Sequence, residues 1–149
     1  MFKIKAATID DLPGLARLFD QYRVFYEKEP DLKAAGIFLS ERIKRSESVI
    51  FVADSDGGEL IGFVQLYQVF SSTRMKRLWL LNDLFVEEKF RGKGISAGLI
   101  EQPKKLCRET GACGLILETA KSNHIGNALS PKTGFQLDEG HNFYHWDTN

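Results

Sequence analysis

The chain has 149 residues, 43% hydrophobic and 27% charged, which fits one ordinary globular domain with a full core. Twenty Lys and Arg balance twenty Asp and Glu, so charge gives no argument for a nucleic-acid or membrane partner. Met1–Asp10 lacks the apolar core of a secretory signal, no apolar run reaches the roughly eighteen residues of a spanning helix, and Cys107 and Cys113 form neither a CxxC pair nor a zinc pattern, so the cytoplasm is the expected setting.

Phe2–Ala6 alternates apolar and polar residues at period two, as a half-buried strand does. Asp10 and Asp11 suit the positive end of a helix, Pro13 fits its first turn, and Leu12, Leu15, Ala16, Phe19, Tyr22 and Tyr26 recur at helical spacing. Asp31 opens a second helical pattern through Ala35, Phe38, Leu39 and Ile43. Ser48–Asp54 and Leu60–Phe70 read as strands around a turn at Ser55–Glu59. Leu78–Val86 is nearly continuously apolar, which predicts a central strand, and Asn82 and Asp83 interrupt it. A helix through Leu99, Ile100 and Leu106 follows and stops near Gly111, with a kink expected at Pro103. Gly114–Glu118 reads as a strand, Asn123–Thr133 as a short helix closed by Gly134, and Phe135–Leu137 and Asn142–Trp146 as closing strands. The order β-α-α-β-β-β-α-β-α-β-β predicts a mixed α/β fold with a mostly antiparallel sheet flanked by helices, in one domain over residues 1–149.

Between the Leu78–Val86 strand and the next helix lie Arg91, Gly92, Lys93 and Gly94. Such a junction can trap an anion: helix-start N–H groups have no internal partners, the dipole adds positive character, and glycine lets a phosphate approach the backbone. Arg91, Lys93 and Lys89 supply charge that the neutral chain otherwise lacks. Ala97 stands where a dinucleotide fingerprint needs its third glycine, and no Gly-Lys-Ser/Thr is present.

The stretch Asn82–Ile95 (NDLFVEEKFRGKGI), then a helix, a strand and Asn123–Phe135 (NHIGNALSPKTGF), resembles the GNAT superfamily of acetyl-CoA-dependent N-acetyltransferases. In that family a strand leads into R/Q-x-x-G-x-G/A, and N-x-x-A-x-x-L-Y-x-x-x-G-F follows later. The resemblance implies an N-acetyltransferase domain with acetyl-CoA as cosubstrate and no metal. It assigns Arg91, Gly92, Lys93, Gly94, Ile95 and Ser96 to the coenzyme pyrophosphate. It assigns Leu84, Phe85 and Val86 to the pantetheine arm, with Asn123 and Asn127 near it. Ser96 replaces the usual Gly or Ala but stays small, and a main-chain N–H near Phe85 is placed to stabilise the thioester oxygen as it gains charge.

An amine nucleophile with a pKa near 10.4 is almost wholly protonated at neutral pH and must lose a proton before attack. Asp83, an acid inside an apolar strand, is the candidate base, with Glu118 at the end of the next strand as understudy. The family's general acid is the Tyr of its second motif, and here that position is Ser130. Three explanations stay open: a thiolate that leaves unassisted, a substitute phenol at Tyr144 or Tyr67, and a slow or degenerate family member.

The resemblance places the acceptor between the first two helices and the central strands, near Tyr22, Arg23, Phe25, Tyr26, Tyr67, Phe70, Arg74 and Trp79. Clustered aromatics suit a cation, whereas Arg23 or Arg74 suits a carboxylate or phosphate, so the acceptor's charge stays open. The expected partner is a small-molecule amine, without nucleic acid or membrane, and a homodimer is carried by analogy alone. A coenzyme-binding sensor and a protein N-acetyltransferase are the alternatives. His141 and His145 share a strand-like spacing, but no third ligand is spaced to join them in a metal site.

Overall fold

A computed structural model describes residues 1–148. The chain divides into two compact units, Met1–Glu118 and the residues from Thr119 on. The alternating segment forms β1 (Phe2–Ala6), and a single 3-10 turn at Ile9–Asp11 leads into α1 (Leu12–Phe25). The turn is closed by the Thr8 N–H donating to Asp11 Oδ2 at 2.9 Å, and Pro13 sits in the first turn of α1, where a missing N–H costs nothing. α2 (Leu32–Lys44) starts where Asp31 Oδ1 accepts from the Ala34 N–H at 3.1 Å. Isolated helices of this length are marginal, so packing holds them. Leu15, Leu18 and Leu39 are fully buried against the sheet, each contributing about 1.5–3 kcal/mol.

The sheet runs β1-β2-β3-β4-β5, with β2 at Ser48–Ser55, β3 at Leu60–Ser71, β4 at Lys76–Val86 and β5 at Leu115–Leu117. The first four strands are antiparallel neighbours and β5 joins β4 in parallel. β4 is an interior strand, as its apolar middle predicts, although β3 holds the centre. Leu60–Leu66 of β3 are all buried because helices cover both faces there. α1 and α2 lie on one face, around Phe19, Val52, Phe63 and Phe85. On the other lies α3 (Ile95–Thr110), whose Leu99 packs over Gly62. α3 runs through the buried Pro103 without a break, so the expected kink does not interrupt it.

A β-bulge decides which face the end of β4 presents. Gln65 pairs with Asp83 but Leu66 pairs with Leu81, which leaves Asn82 as an extra residue on β4. One extra residue reverses the facing of every side chain beyond it. Before the bulge, Trp79 faces α3, where its Nε1 donates to Thr110 Oγ1 at 3.0 Å. After it, Asp83 and Phe85 face α1, and the Phe85 ring lies 6.0 Å from Tyr22 and 6.5 Å from Phe63.

In the second unit, α4 (His124–Lys132) matches the helix expected there. The two closing strands are not formed: residues 135–137 and 142–146 carry no regular secondary structure. Aromatic and branched residues favour strands only on a paired, half-buried surface. Leu137, Phe143, Tyr144 and Trp146 are instead exposed, so composition alone suggested those strands.

The bulge yields a comparison. Asn82→Ala keeps the extra residue and removes one hydrogen bond, so it should cost about 1 kcal/mol. Deleting Asn82 closes a regular ladder in which Asp83 still lies opposite Gln65 and Leu81 opposite Leu66, so it too should cost no more than about 1–2 kcal/mol. Urea midpoints of the two variants check both values.

Candidate active site

Asp83 is 5% exposed, and a buried carboxylate needs partners. Its Oδ2 accepts from Gln65 Nε2 at 2.8 Å and its Oδ1 from Asn82 Nδ2 at 3.1 Å. Gln65, wholly buried, is oriented by Ser48, whose Oγ donates to Gln65 Oε1 at 2.8 Å. This fixes the amide so that its NH2, not its oxygen, faces Asp83. Tyr22 and Tyr67 flank the same carboxylate. Burial, then the charge of Asp83 and hydrogen bonding to it, pushes the Tyr22 phenol far above its ordinary value. Burial and then the Asp83 charge push Tyr67 up to about 12.

β5 pairs with β4 only at Trp79, Leu80 and Leu81. Among the described residues no strand pairs β4 beyond that on this side, so the edge carrying Leu84, Phe85 and Val86 is open for an extended ligand. Glu118 stands one residue past β5, exposed, where this pairing stops.

After β4, a 3-10 turn at Glu88–Phe90 leads to the glycine loop. Gly92 and Gly94 hold φ of 79° and 82°, a region that penalises a side chain, and no atom lies within 4 Å of where a Cβ would stand. Gly94 is the N-cap of α3 and brings no side-chain acceptor to the first-turn N–H groups. Those donors point outward, anchored by the buried Ile95, with the half-buried Ser96 beside them. The loop therefore fits a phosphate group on its own geometry. Lys89 and Lys93 Nζ sit 5.4 Å and 5.5 Å from the Phe90 ring. Arg91 turns back toward β4: its Nε donates to the Val86 carbonyl at 2.9 Å, and its guanidinium lies 5.5 Å from the rings of Phe25 and Phe85.

The remaining expected residues lie in the second unit. Asn123 Oδ1 caps α4 by accepting from the Gly126 N–H at 3.0 Å. Asn127 Nδ2 donates to the carbonyls of Ala120 at 2.9 Å and Asn123 at 2.8 Å. Ser130 Oγ donates to the Gly126 carbonyl at 3.0 Å, and Tyr144 is exposed. His141 pairs with Asp138, whose carboxyl is held below its ordinary value first by that hydrogen bond and then by the Gly140 N–H. Among the described residues no three His, Cys, Asp or Glu side chains gather to hold a metal.

A family model described as the Acetyltransferase (GNAT) family matches residues 13–135. The chain belongs to the GNAT family of acetyltransferases. It is 41% identical over 146 residues, 98% of this chain and 96% of the relative, to an uncharacterised N-acetyltransferase of Bacillus subtilis (strain 168). Among solved structures, a probable acetyltransferase superposes with a TM-score of 0.93 at 35% identity, covering 99% of this chain and 98% of that one. AAC(6')-Iy, solved with a bisubstrate analogue of coenzyme A and acetylneamine, shares the fold at a TM-score of 0.81 and 22% identity, with 99% of each chain covered. Like its relatives, this GNAT protein is an N-acetyltransferase, and the family draws its acetyl group from acetyl-CoA.

Within this GNAT chain, sequence reasoning named Asp83 and the loop but not Gln65 and Ser48, which orient the Asp83 carboxylate. The run Leu60–Phe70 carries two glutamines, Gln65 and Gln68, and the place of Gln65 in its apolar middle was the available signal. Trp79 and Arg74, expected on the acceptor side, are engaged elsewhere: Trp79 on the α3 face and Arg74 Nη2 on the Cys113 carbonyl at 3.2 Å.

The two raised phenols give a pH test. A phenol whose folded pKa exceeds its unfolded value of 10.0 adds stability below that pH and loses it as the pH rises toward 12. Wild type should therefore lose stability between about pH 10 and about pH 12, and Tyr22→Phe and Tyr67→Phe should each lose less. Urea midpoints across that range check it.

Proposed function

We propose that the chain works as one N-acetyltransferase domain that transfers an acetyl group from acetyl-CoA to the primary amine of a small molecule, by direct attack while both are bound. One observation carries this reading: a single strand bears both a buried, oriented carboxylate at Asp83 and, at its end, an anion-ready loop.

Gly92, Lys93, Gly94, Ile95 and Ser96 would hold the coenzyme pyrophosphate through main-chain N–H groups, with Lys89 and Lys93 adding charge. Arg91 ties that loop to Val86 and keeps a cation beside the strand end. The open edge at Leu84–Val86 would receive the amide-bearing arm, as an added strand does. Bound acetyl-CoA supplies an acyl thioester, whose C–S bond is exchanged for a C–N bond to the amine. Asp83 takes the proton that the ammonium must lose, and Gln65, Asn82 and Tyr22 hold its oxygens in place. Main-chain N–H groups near Phe85 would meet the carbonyl oxygen as it gains charge. Roles for Ser130, Asn123 and Asn127 rest on the family resemblance, and a homodimer on analogy with the family. Glu118 and Tyr144 enter as an acid and a phenol the chemistry could use, and the cytoplasmic setting and the expectation of no nucleic-acid or membrane partner rest on charge, cysteine usage and apolar patterning.

Release of free coenzyme A from acetyl-CoA, on adding pooled amines, amino acids, polyamines and peptides, tests the reading. Asp83→Asn should lower kcat by about 10²–10⁴ while calorimetric affinity for coenzyme A holds. Gly94→Val should weaken that affinity, because it strains the loop and puts a side chain where the phosphate would lie. Full turnover by Asp83→Asn would remove the carboxylate from the mechanism. Silence from a wild type that binds the coenzyme would overturn small-amine transfer, and release restored by Ser130→Tyr would locate the defect in the missing tyrosine.

A further inference from the structure

A cavity of about 560 Å³ opens between α1 and α2, a size suited to a small molecule. Its walls are the rings of Phe19, Tyr22, Tyr26 and Phe38, and two cations, Arg23 and Lys28, also line it. No carboxylate is among its lining residues. The rings form a continuous apolar wall: Phe19 stacks on Phe38 at 5.7 Å, and Tyr22 meets Tyr26 edge-on at 5.1 Å. Tyr22 connects this cavity to Asp83, because it lines the cavity and also lies against that carboxylate.

The two cations differ in how far they are neutralised. Arg23 Nη1 donates to Asp20 Oδ1 and to the Glu29 carbonyl, both at 3.0 Å, which leaves Nε and Nη2 for another acceptor. Among the described residues no ion pair takes up Lys28. Arg42, behind the Phe38 ring, is by contrast held by both Glu41 and Glu47. The lining thus carries a net positive charge at the α1–α2 connection, while Asp83 carries a negative one beyond Tyr22. An aromatic cage for a polyamine would not place cations in its own wall, because like charges repel there.

We infer that this cavity takes an amino acid with an apolar side chain: carboxylate toward Arg23 and Lys28, side chain against the four rings, amine toward Asp83. The charge order of the site, cation to ring wall to carboxylate, is the charge order of that acceptor. Polyamines and simple amines lack the group that Arg23 and Lys28 select, and a peptide N-terminus has its carboxyl locked in an amide. This assignment rests on the amine-acetylating reading above.

The test compares phenylalanine, phenylalaninamide, phenethylamine and spermidine as acceptors, by coenzyme A release at fixed acetyl-CoA. Phenylalanine should give the highest kcat/KM, and the ratio of its value to that of phenethylamine should fall about tenfold in Lys28→Gln and further in Lys28→Glu, through KM. Lys28 is exposed, so neither change threatens folding, and thermal melts of both variants confirm it. An amide or amine that matches phenylalanine would overturn the acceptor class while leaving acetyl transfer standing. A phenylalanine preference untouched in both variants and in Arg23→Gln would overturn the assignment to these cations. Coenzyme binding without release on any acceptor would overturn the amine-acetylating reading, and this inference with it.

Discussion

The buried carboxylate of Asp83 is the constraint around which the working face is arranged. An ionised group this far from water costs several kcal/mol unless its oxygens are satisfied. The chain meets that cost with three separate elements: Gln65 from β3, Asn82 from the bulge on β4 and Tyr22 from α1. Ser48 on β2 adds a fourth by holding Gln65 in one orientation. Each donor depends on the strand register, and the register depends on one extra residue. Were Asn82 paired in a regular ladder instead of bulged, Asp83 would face α3, whose buried side includes Leu99, Ile100 and Pro103 and offers no donor. The bulge therefore converts an acid in an apolar strand from a liability into an oriented group.

The second constraint is the short β5. Parallel pairing that stops at Leu81 leaves the remainder of β4 with an open edge, directly before a loop that presents helix-start N–H groups. In a chain with no net charge, cations have to be held locally, and aromatic faces do this. Phe90 lies near Lys89 and Lys93, while Phe25 and Phe85 receive Arg91. Composition is silent about this loop because every cation in it is balanced by an acid elsewhere. The charge pattern matters only after folding.

Features governed by neighbours in sequence were legible from sequence. The Asp31 cap, Pro13 in the first turn and the alternation of Phe2–Ala6 all obey short-range rules, and each element formed where those rules put it. Asp83 was legible as an acid in apolar company. Its facing was not, because a bulge is a relation between two strands and Asn82 alone does not announce one. Gln65 was hidden for the same reason: its partner lies eighteen positions away. Lys28 was hidden differently, since Glu27 and Glu29 flank it in sequence while the fold turns it toward the cavity. The closing strands were read from aromatic content, which reports affinity for a paired surface and says nothing of whether one is supplied.

The proton balance of acetyl transfer explains why a serine can stand where the family motif has a tyrosine, on the proposed reading. Deprotonating an alkylammonium of pKa about 10.4 at neutral pH costs about 4.6 kcal/mol. A leaving thiolate, whose conjugate acid has a pKa of about 8.5, lies only about 2 kcal/mol from its protonated form. The larger demand is at the amine, and that is where this chain places its buried polar groups. An acid for the thiolate would relieve the smaller term, which water can meet at an open strand edge. The proposed acceptor does not remove that demand, because the value near 8 belongs to α-amino groups whose carboxyl is an amide. An ionised carboxylate beside the ammonium stabilises its charge and raises the pKa again, so a free amino acid still leaves Asp83 the larger share of the proton transfer.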